Sequence, residues 1–371
     1  MMRVCYIVSD DLWAGAEVMA WNLARTLHAS GRVDVQVIAL NPGRLSRLLR
    51  EEGVPVWVVP EETLSFGALL VKVRRILKDT APDIVHAHRY KENILAFLAC
   101  GLVRRPRLVS TQHGMPETSL KESGILKRCV SRINMLLLTH GFHRYVCVSD
   151  DLRRAMARSF GLKDGKACVV YNGVTPSGGL AHRPAGNTLT IGSAGRFYPV
   201  KDFALMIDTA EAVGRLLPEV RFRLAGDGPL RDALQGRVQA AGLSDRFSFA
   251  GHVTDMPAFY RSIDIYLNTS VHEGIPMSIL EAMAAGVPVV APDVGGLGEI
   301  ITHGRDGYLV PTRDPGDFAR CLVPLCESGD LRGQVALRAE KTVQDRFSAE
   351  AMAEHYHQLY EGVLDRPGGD R

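Results

Sequence analysis

Short apolar runs rich in Val and Ile alternate along the chain with segments whose apolar residues recur at helical spacing. Such alternation predicts parallel βαβ units and an α/β fold with doubly wound sheets. In the first half, strands are predicted at Val4–Val8, Val35–Ala39, Val56–Val59, Ile84–His86, Leu108–Thr111, Tyr145–Val148 and Cys168–Val170. Between the first two, Ala16–Ala29 places Val18, Trp21, Leu23, Ala24 and Leu27 on one helical face, and Gly31 follows as a helix stop. A second series follows at Leu189–Ala194, Arg221–Ala225, Phe247–Ala250, Ile265–Asn268, Val287–Ala291 and Tyr308–Val310. The Gly- and Pro-rich stretch between the series, "TPSGGLAHRPAGN" at residues 175–187, has no period and is read as a linker.

A chain of 371 residues exceeds what one hydrophobic core organises, so two domains are expected, 1–178 and 188–348. The closing helical stretch, about 349–371, can belong to either and is free to pack back onto the first. Two such domains are expected to form a cleft between their strand C-termini, where open α/β sheets bind ligands. No signal peptide is visible at the N-terminus, and no apolar run is long enough to span a bilayer, so a cytosolic protein is expected. The seven cysteines are odd in number and include no CxxC pair, which suggests reduced, buried thiols and no zinc site. Charge is lopsided: residues 1–180 carry 25 Lys and Arg against 16 Asp and Glu, the remainder 19 against 25. A basic first half suggests an anionic partner, either phosphate or an acidic membrane surface.

Two loops of the second half carry candidate chemistry. After Leu189–Ala194 comes "GRFYPVKD", in which Gly195, Arg196 and Lys201 precede a helix. Two cations and free helix N–H groups make a seat for a diphosphate, although a solvated Arg and Lys on a βα loop would read the same way. After Ile265–Asn268 comes "SVHEGIPMSILEAMAAGVPVVAPDVGG", with Glu273 and Glu281 eight positions apart. Gly274 permits close backbone approach, and Pro276 suits a helix entry at about Ser278. The bland alternative makes Glu273 favourable at a helix start and Glu281 a solvated helix residue. Against it, "ILEAMAAGVPVVA" is apolar on nearly every face, so a carboxylate at Glu281 needs a partner. The vicinal hydroxyls of a ribose would satisfy both its oxygens.

The ordered combination "GAE", "GRFYPVKD", "LAGDGPL", "FAGHV" and "HEGIPMSILEAMAAGVPVVAPDVGGLGEII" resembles the retaining glycosyltransferases of family 4, and the similarity runs over nearly the whole chain. The resemblance implies the GT-B fold, two Rossmann-like domains facing each other across a cleft, and transfer of a sugar from a nucleotide-sugar donor with retention. By position, it implies that Glu281 binds the donor ribose, and that Glu273 with backbone groups of Gly274, Ile275, Pro276 and Met277 holds the donor sugar and phosphates. Arg196 and Lys201 would neutralise the diphosphate as the nucleotide leaves. Backbone near Val253 would read the base, and Gly15 would lie under the phosphates. The preceding family glycine is Ala14 here, a departure that bears on how closely the backbone approaches.

His113, in "STQHGMPE" after Leu108–Thr111, corresponds to the family histidine beside the transferred sugar, although a lone histidine is more often structural. The H-x-H of "HAHRYKEN", His86 and His88, shares a strand face without a third ligand, so no metal is read there, and one or both are expected to line the acceptor side. No Asp-x-Asp motif occurs, so no divalent metal and no cofactor is expected. Nor is there an obvious carboxylate pair for a covalent route, which leaves the family's same-face displacement as the default.

"RLSRLLR" (Arg44–Arg50), "KVRRILK" (Lys72–Lys78) and "LKRCVSRINMLLL" (Leu126–Leu138) mix basic and apolar residues at helical spacing. Each reads as a core-facing helix with a solvated basic side or as one resting on an anionic membrane. Three in one half favour a peripheral enzyme on the inner face of the membrane, acting on a lipid-linked or saccharide intermediate of surface polysaccharide. Two rivals stand beside this reading, a sugar-nucleotide epimerase or hydrolase on the same frame and a non-catalytic nucleotide-sugar binding protein. The basic runs lack interleaved aromatics, so nucleic-acid binding is not expected.

Overall fold

A computed structural model describes residues 1–101, 106–114, 125–161, 165–176 and 188–365, and of residues 125–129 and 131 the backbone alone. Residues 177–187 of the expected linker lie outside the described residues. The chain divides into two compact units, Met1–Gly173 with the chain from Ala349 onward, and Val174–Ser348. The first unit therefore ends five residues before position 178 and takes in the closing helix Ala349–Leu364.

The first unit holds β1 (Met2–Val8), β2 (Val33–Ala39), β3 (Val56–Val58), β4 (Ile84–Ala87), β5 (Arg107–Gln112), β6 (Arg144–Cys147) and β7 (Ala167–Val169). They form one parallel sheet in the order β3-β2-β1-β4-β5-β6-β7. The second unit holds β8 (Thr190–Ala194), β9 (Arg221–Ala225), β10 (Phe247–Gly251), β11 (Ile265–Leu267), β12 (Val289–Pro292) and β13 (Tyr308–Val310). Its parallel order is β10-β9-β8-β11-β12-β13. All thirteen predicted strands are present, with ends shifted by at most two residues. The latest start is at β12, because the amide of Val287 still bonds back to Ala282 in the turn leaving the preceding helix.

Strands covered on both faces must be apolar at successive positions, and Val4 to Val8 of β1 are all buried. In the second unit Ile191, Phe222, Leu224, Ile265 and Val290 of the sheet pack with Phe203, Met206 and Phe318 of the flanking helices. Helix Gly15–Ala29 buries Met19, Leu23 and Leu27 and gives way to Gly31 at a φ of +67°, a turn that favours glycine. In both sheets the strand order reverses beside the first strand, between β1 and β4 and between β8 and β11. The loops leaving those strands start side by side at neighbouring strand C-termini, the place where open α/β sheets bind ligands.

The closing helix is fastened to the first sheet by buried hydroxyls. The Tyr360 hydroxyl lies 2.8 Å from that of Tyr6 and 2.7 Å from His86 Nδ1. His86 Nε2 lies 2.8 Å from Thr111 Oγ1, which is 2.8 Å from the Tyr356 hydroxyl. A neutral imidazole has one N–H and one lone pair, and His86 uses both. Fully buried, it belongs to the core, so of the two histidines expected on the acceptor side His86 drops out and His88 is left.

Six of the seven cysteines are described, and all six are free. Cys5, Cys100 and Cys147 are buried as expected, whereas Cys168, Cys321 and Cys326 are half-buried. No helix among the described residues is long and apolar enough to cross a membrane. Of the basic helices, Arg44–Glu51 spends its apolar face on the core through Leu45 and Leu49. Phe66–Thr80 also buries Leu69, Val73 and Leu77, yet leaves Phe66 and Val71 exposed near Lys72 and Arg75. Helix Ile125–Leu136 exposes Ile133 and Leu136 beside Arg132.

Replacing Tyr360 by Phe removes the partner of two buried polar groups and should cost about 1–3 kcal/mol for each group left unpaired. Urea unfolding should show that loss, while Tyr90→Phe, at a side chain about half exposed, should shift the midpoint little.

Candidate functional site

In the second unit, the loop after β8 and the loop after β11 meet at the strand-order reversal. Gly195 to Tyr198 leads into a single 3-10 turn, Pro199–Lys201, and then Asp202 caps helix Phe203–Leu216 through the amide of Leu205. Lys201 Nζ donates to Glu273 Oε1 at 2.5 Å, and the Ser270 hydroxyl donates to the same oxygen at 2.6 Å. The Glu273 backbone is fixed as well, since its carbonyl accepts from the amide of Gly296 at 3.1 Å. A Cβ on the neighbouring Gly295 would stand 2.0 Å from that carbonyl oxygen, and its φ of +57° also favours glycine. The family resemblance implies separate roles, Lys201 on the diphosphate and Glu273 with its neighbouring backbone on the donor sugar and phosphates. In the structure each is the other's partner.

Past Glu273 the chain turns through buried Gly274, Ile275 and Pro276 into helix Met277–Ala284, whose N-terminus has no side-chain cap. An uncapped first turn offers N–H groups to an anion. Glu281 sits in the second turn of that helix. Burial pushes its carboxyl up to about 7, offset in part by the Tyr260 hydroxyl, which lies 2.8 Å from Oε2 and 3.1 Å from the carbonyl of Ser278. Burial and the nearby Glu281 in turn hold the Tyr260 phenol well above its ordinary range. Oε2 thus has a protein donor that the sequence did not announce, and with two lone pairs on each carboxylate oxygen both still have room for a further hydroxyl. Arg196 is exposed with its guanidinium over the Tyr198 ring, 5.1 Å from the centroid. Val253 is half-buried in the loop between β10 and helix Met256–Arg261, which Asp255 caps.

The reversal in the first unit is bridged by an ion pair. Glu17, in the first turn of helix Gly15–Ala29, is buried and pairs with Arg89, which follows β4. Its other oxygen accepts from the amide of Ala14 at 3.2 Å, so the backbone entering Gly15 is held in place. Burial raises the Glu17 carboxyl despite Arg89. Nearby, His88 Nδ1 lies 3.1 Å from His113 Nε2, with the rings stacked at 18°. His88 also stacks on His86, at 4.5 Å between centroids. Burial, followed by Arg89, lowers His113 to about 3, and burial with His86, His113 and Arg89 holds His88 well below its usual value. The three rings are neutral, so His113 can offer a hydrogen bond but no charge. His88 Nε2 and Glu92 Oε2 are buried and lack a partner among the described residues.

Tyr260, Glu17 and Arg89 were not singled out from the sequence. A tyrosine in "AFYRSIDIY" reads as core, and an Arg and a Glu seventy-two positions apart carry no local sign that they pair.

The family described as "Glycosyl transferases group 1" matches residues 188–328, and the one described as "Glycosyltransferase Family 4" matches residues 13–177. A phosphatidyl-myo-inositol mannosyltransferase of Mycobacterium leprae is 30% identical over 96% of this chain and 95% of its own length. An Escherichia coli UDP-Gal:alpha-D-GlcNAc-diphosphoundecaprenol alpha-1,3-galactosyltransferase is 26% identical over 78% of this chain and 79% of its own. Among solved structures, Anabaena Alr3699/HepE in complex with UDP and glucose superposes with a TM-score of 0.85 at 22% identity, over 97% of this chain and 100% of that one.

If burial holds the His86, His88 and His113 rings neutral, their imidazole carbon resonances should stay at neutral positions from pH 8 down to about pH 4. A proton taken up near pH 6.5 by any of the three would mean that burial does not hold that ring neutral.

Proposed function

The chain belongs to glycosyltransferase family 4, and from that premise we propose that it moves a sugar from a uridine or guanosine diphosphate donor to a lipid-linked or saccharide acceptor, with retention and without a bound metal. Glycosyltransferase activity on a GT-B fold follows from the family. The observation that carries the finer reading is the assembly at one strand-order reversal of Lys201, Glu273, an uncapped helix start and Glu281.

An ionised carboxylate accepts hydrogen bonds only, so Glu281, oriented by Tyr260, suits the two hydroxyls of a ribose. The diphosphate takes the place of Glu273 as the partner of Lys201 and is joined by Arg196 and backbone groups of Gly274 to Met277, of which Pro276 has no N–H to give. Glu273 is then released to accept from sugar hydroxyls, and Val253 lies on the base side. In the reaction the bond from the anomeric carbon to the phosphate oxygen breaks, and a bond to the acceptor oxygen forms on the same face. The acceptor proton passes to the leaving phosphate, whose charge Lys201 and Arg196 stabilise. In the N-terminal unit His113 and Gly15 keep the roles that the family resemblance implies, with His113 acting as a neutral hydrogen-bonding group. His88, bonded to His113, is the one of the H-x-H pair that remains on the acceptor side.

Two relatives support a lipid-linked acceptor, since their names carry a diphosphoundecaprenol and a phosphatidyl-myo-inositol. The exposed Phe66, Val71, Ile133 and Leu136, set among Lys and Arg, support peripheral attachment to an anionic membrane at the inner face.

A thermal-shift panel of nucleoside diphosphates and nucleotide sugars should single out one base, because a ligand of the folded state raises its stability. Glu281→Ala should weaken that ligand about 10- to 100-fold, from about 1.5–3 kcal/mol for a hydrogen bond to a charged group. Binding to the wild type should fall as pH drops below about 7, where Glu281 takes up a proton. His113→Ala should spare binding and depress transfer, and a chelator should leave transfer unchanged. Undiminished transfer in both variants contradicts the site assignment, release of free sugar without transfer contradicts the reaction, and failure to sediment with anionic vesicles at low salt contradicts the membrane reading.

A further inference from the structure

Arg313 lies in the loop between β13 and helix Pro315–Glu327, on neither of the loops that carry Lys201 and Glu273. Its side chain nevertheless holds both. Nη1 donates to the carbonyl of Ser270 at 2.8 Å, and Nη2 donates to the carbonyl of Thr269 at 2.8 Å and to the carboxylate of Asp202. Thr269 and Ser270 are the exit of β11 that leads to Glu273, and Asp202 is the residue after Lys201. The Thr269 hydroxyl donates to the Lys201 carbonyl at 3.1 Å, and the Val271 amide to the Val200 carbonyl at 2.8 Å, so the two loops are also joined directly.

Asp202 shows what the clamp must hold. Its φ is +43°, a left-handed conformation that costs a non-glycine residue free energy and persists only where its surroundings enforce it. One carboxylate oxygen caps the amide of Leu205, and the other is taken by Arg313. Lys201 enters the loop immediately before this turn, so the direction of its side chain depends on Asp202 keeping its conformation. We infer that Arg313 is a positioning residue for the donor site, fixing Lys201 and Glu273 relative to each other by tying Asp202 to the carbonyls of Thr269 and Ser270. A guanidinium presents several N–H groups in one rigid plane, whereas a lysine at the same place has one ammonium on a flexible stem and cannot reach all three acceptors in that geometry. The inference rests on the reading of Lys201 and Glu273 as the groups that meet the donor diphosphate and sugar.

Calorimetry with UDP and GDP, and ligand-observed NMR with uridine and guanosine, separate the possibilities in the wild type and in Lys201→Ala, Arg313→Gln and Arg313→Lys. The inference expects Arg313→Gln to lose about ten-fold in affinity for the diphosphate that the wild type prefers, as Lys201→Ala does. Affinity for the parent nucleoside should stay within about two-fold, because the Tyr260–Glu281 contact shares no hydrogen bond with Arg313. Arg313→Lys should recover little of the loss despite keeping the charge. A defective Lys201→Ala beside an unaffected Arg313→Gln overturns the inference and leaves the donor reading standing. Equal losses for diphosphate and nucleoside, which a general loss of structure would give, overturn it, and so does full recovery by Arg313→Lys. A wild type that binds neither diphosphate, or a Lys201→Ala that binds as the wild type does, overturns the donor reading and the inference with it.

Discussion

A parallel sheet covered on both faces buries its central strands in apolar side chains, so chemistry in this chain gathers where those strands end. In each unit the first strand stands beside the fourth, and the loops leaving them meet through polar contacts. Polar side chains brought to those ends are partly withdrawn from water, so each needs a partner. Glu17 takes Arg89, His88 takes His113, Glu273 takes Lys201 and Ser270, and Glu281 takes Tyr260. The tension between burial and pairing gives these groups their character: rings that stay neutral, and a Glu281 carboxyl raised to about 7.

The paired state also explains how Lys201 and Glu273 can sit close together below the surface before any ligand arrives. Each satisfies the other, so neither stands as an isolated charge. A diphosphate offers Lys201 a stronger anion, and sugar hydroxyls offer Glu273 neutral donors, so exchange of partners costs less than desolvating either group alone. The backbone around the pair is held independently of that exchange, with Gly295 and Gly296 packed against the Glu273 backbone and Arg313 bonded to the carbonyls of Thr269 and Ser270.

Most of the fold was legible in the sequence, because parallel strands leave continuous apolar runs and their helices leave a 3.6-residue period. The two glutamates were legible for a related reason, since Glu281 is a carboxylate in an otherwise apolar helix. What was not legible depends on distance along the chain. Arg89 meets Glu17 across seventy-two positions, and Arg313 meets Asp202 across one hundred and eleven. His86 misled because strand alternation tells which residues share a face but not whether a later helix, here the one carrying Tyr356 and Tyr360, will cover that face. Glu281 was expected to need an external partner, and the tyrosine that supplies one of its hydrogen bonds reads in the sequence as ordinary core.

If Glu281 and Lys201 belong to one nucleotide-sugar site, a crystal structure with the preferred nucleoside diphosphate bound will show both on the same ligand. Ribose hydroxyls should lie within hydrogen-bonding distance of the Glu281 carboxylate, with the Tyr260 contact retained and Lys201 turned from Glu273 to a phosphate oxygen. A nucleotide seated away from the ends of β8 and β11, or one that leaves the Lys201–Glu273 pair intact and Glu281 untouched, would contradict it.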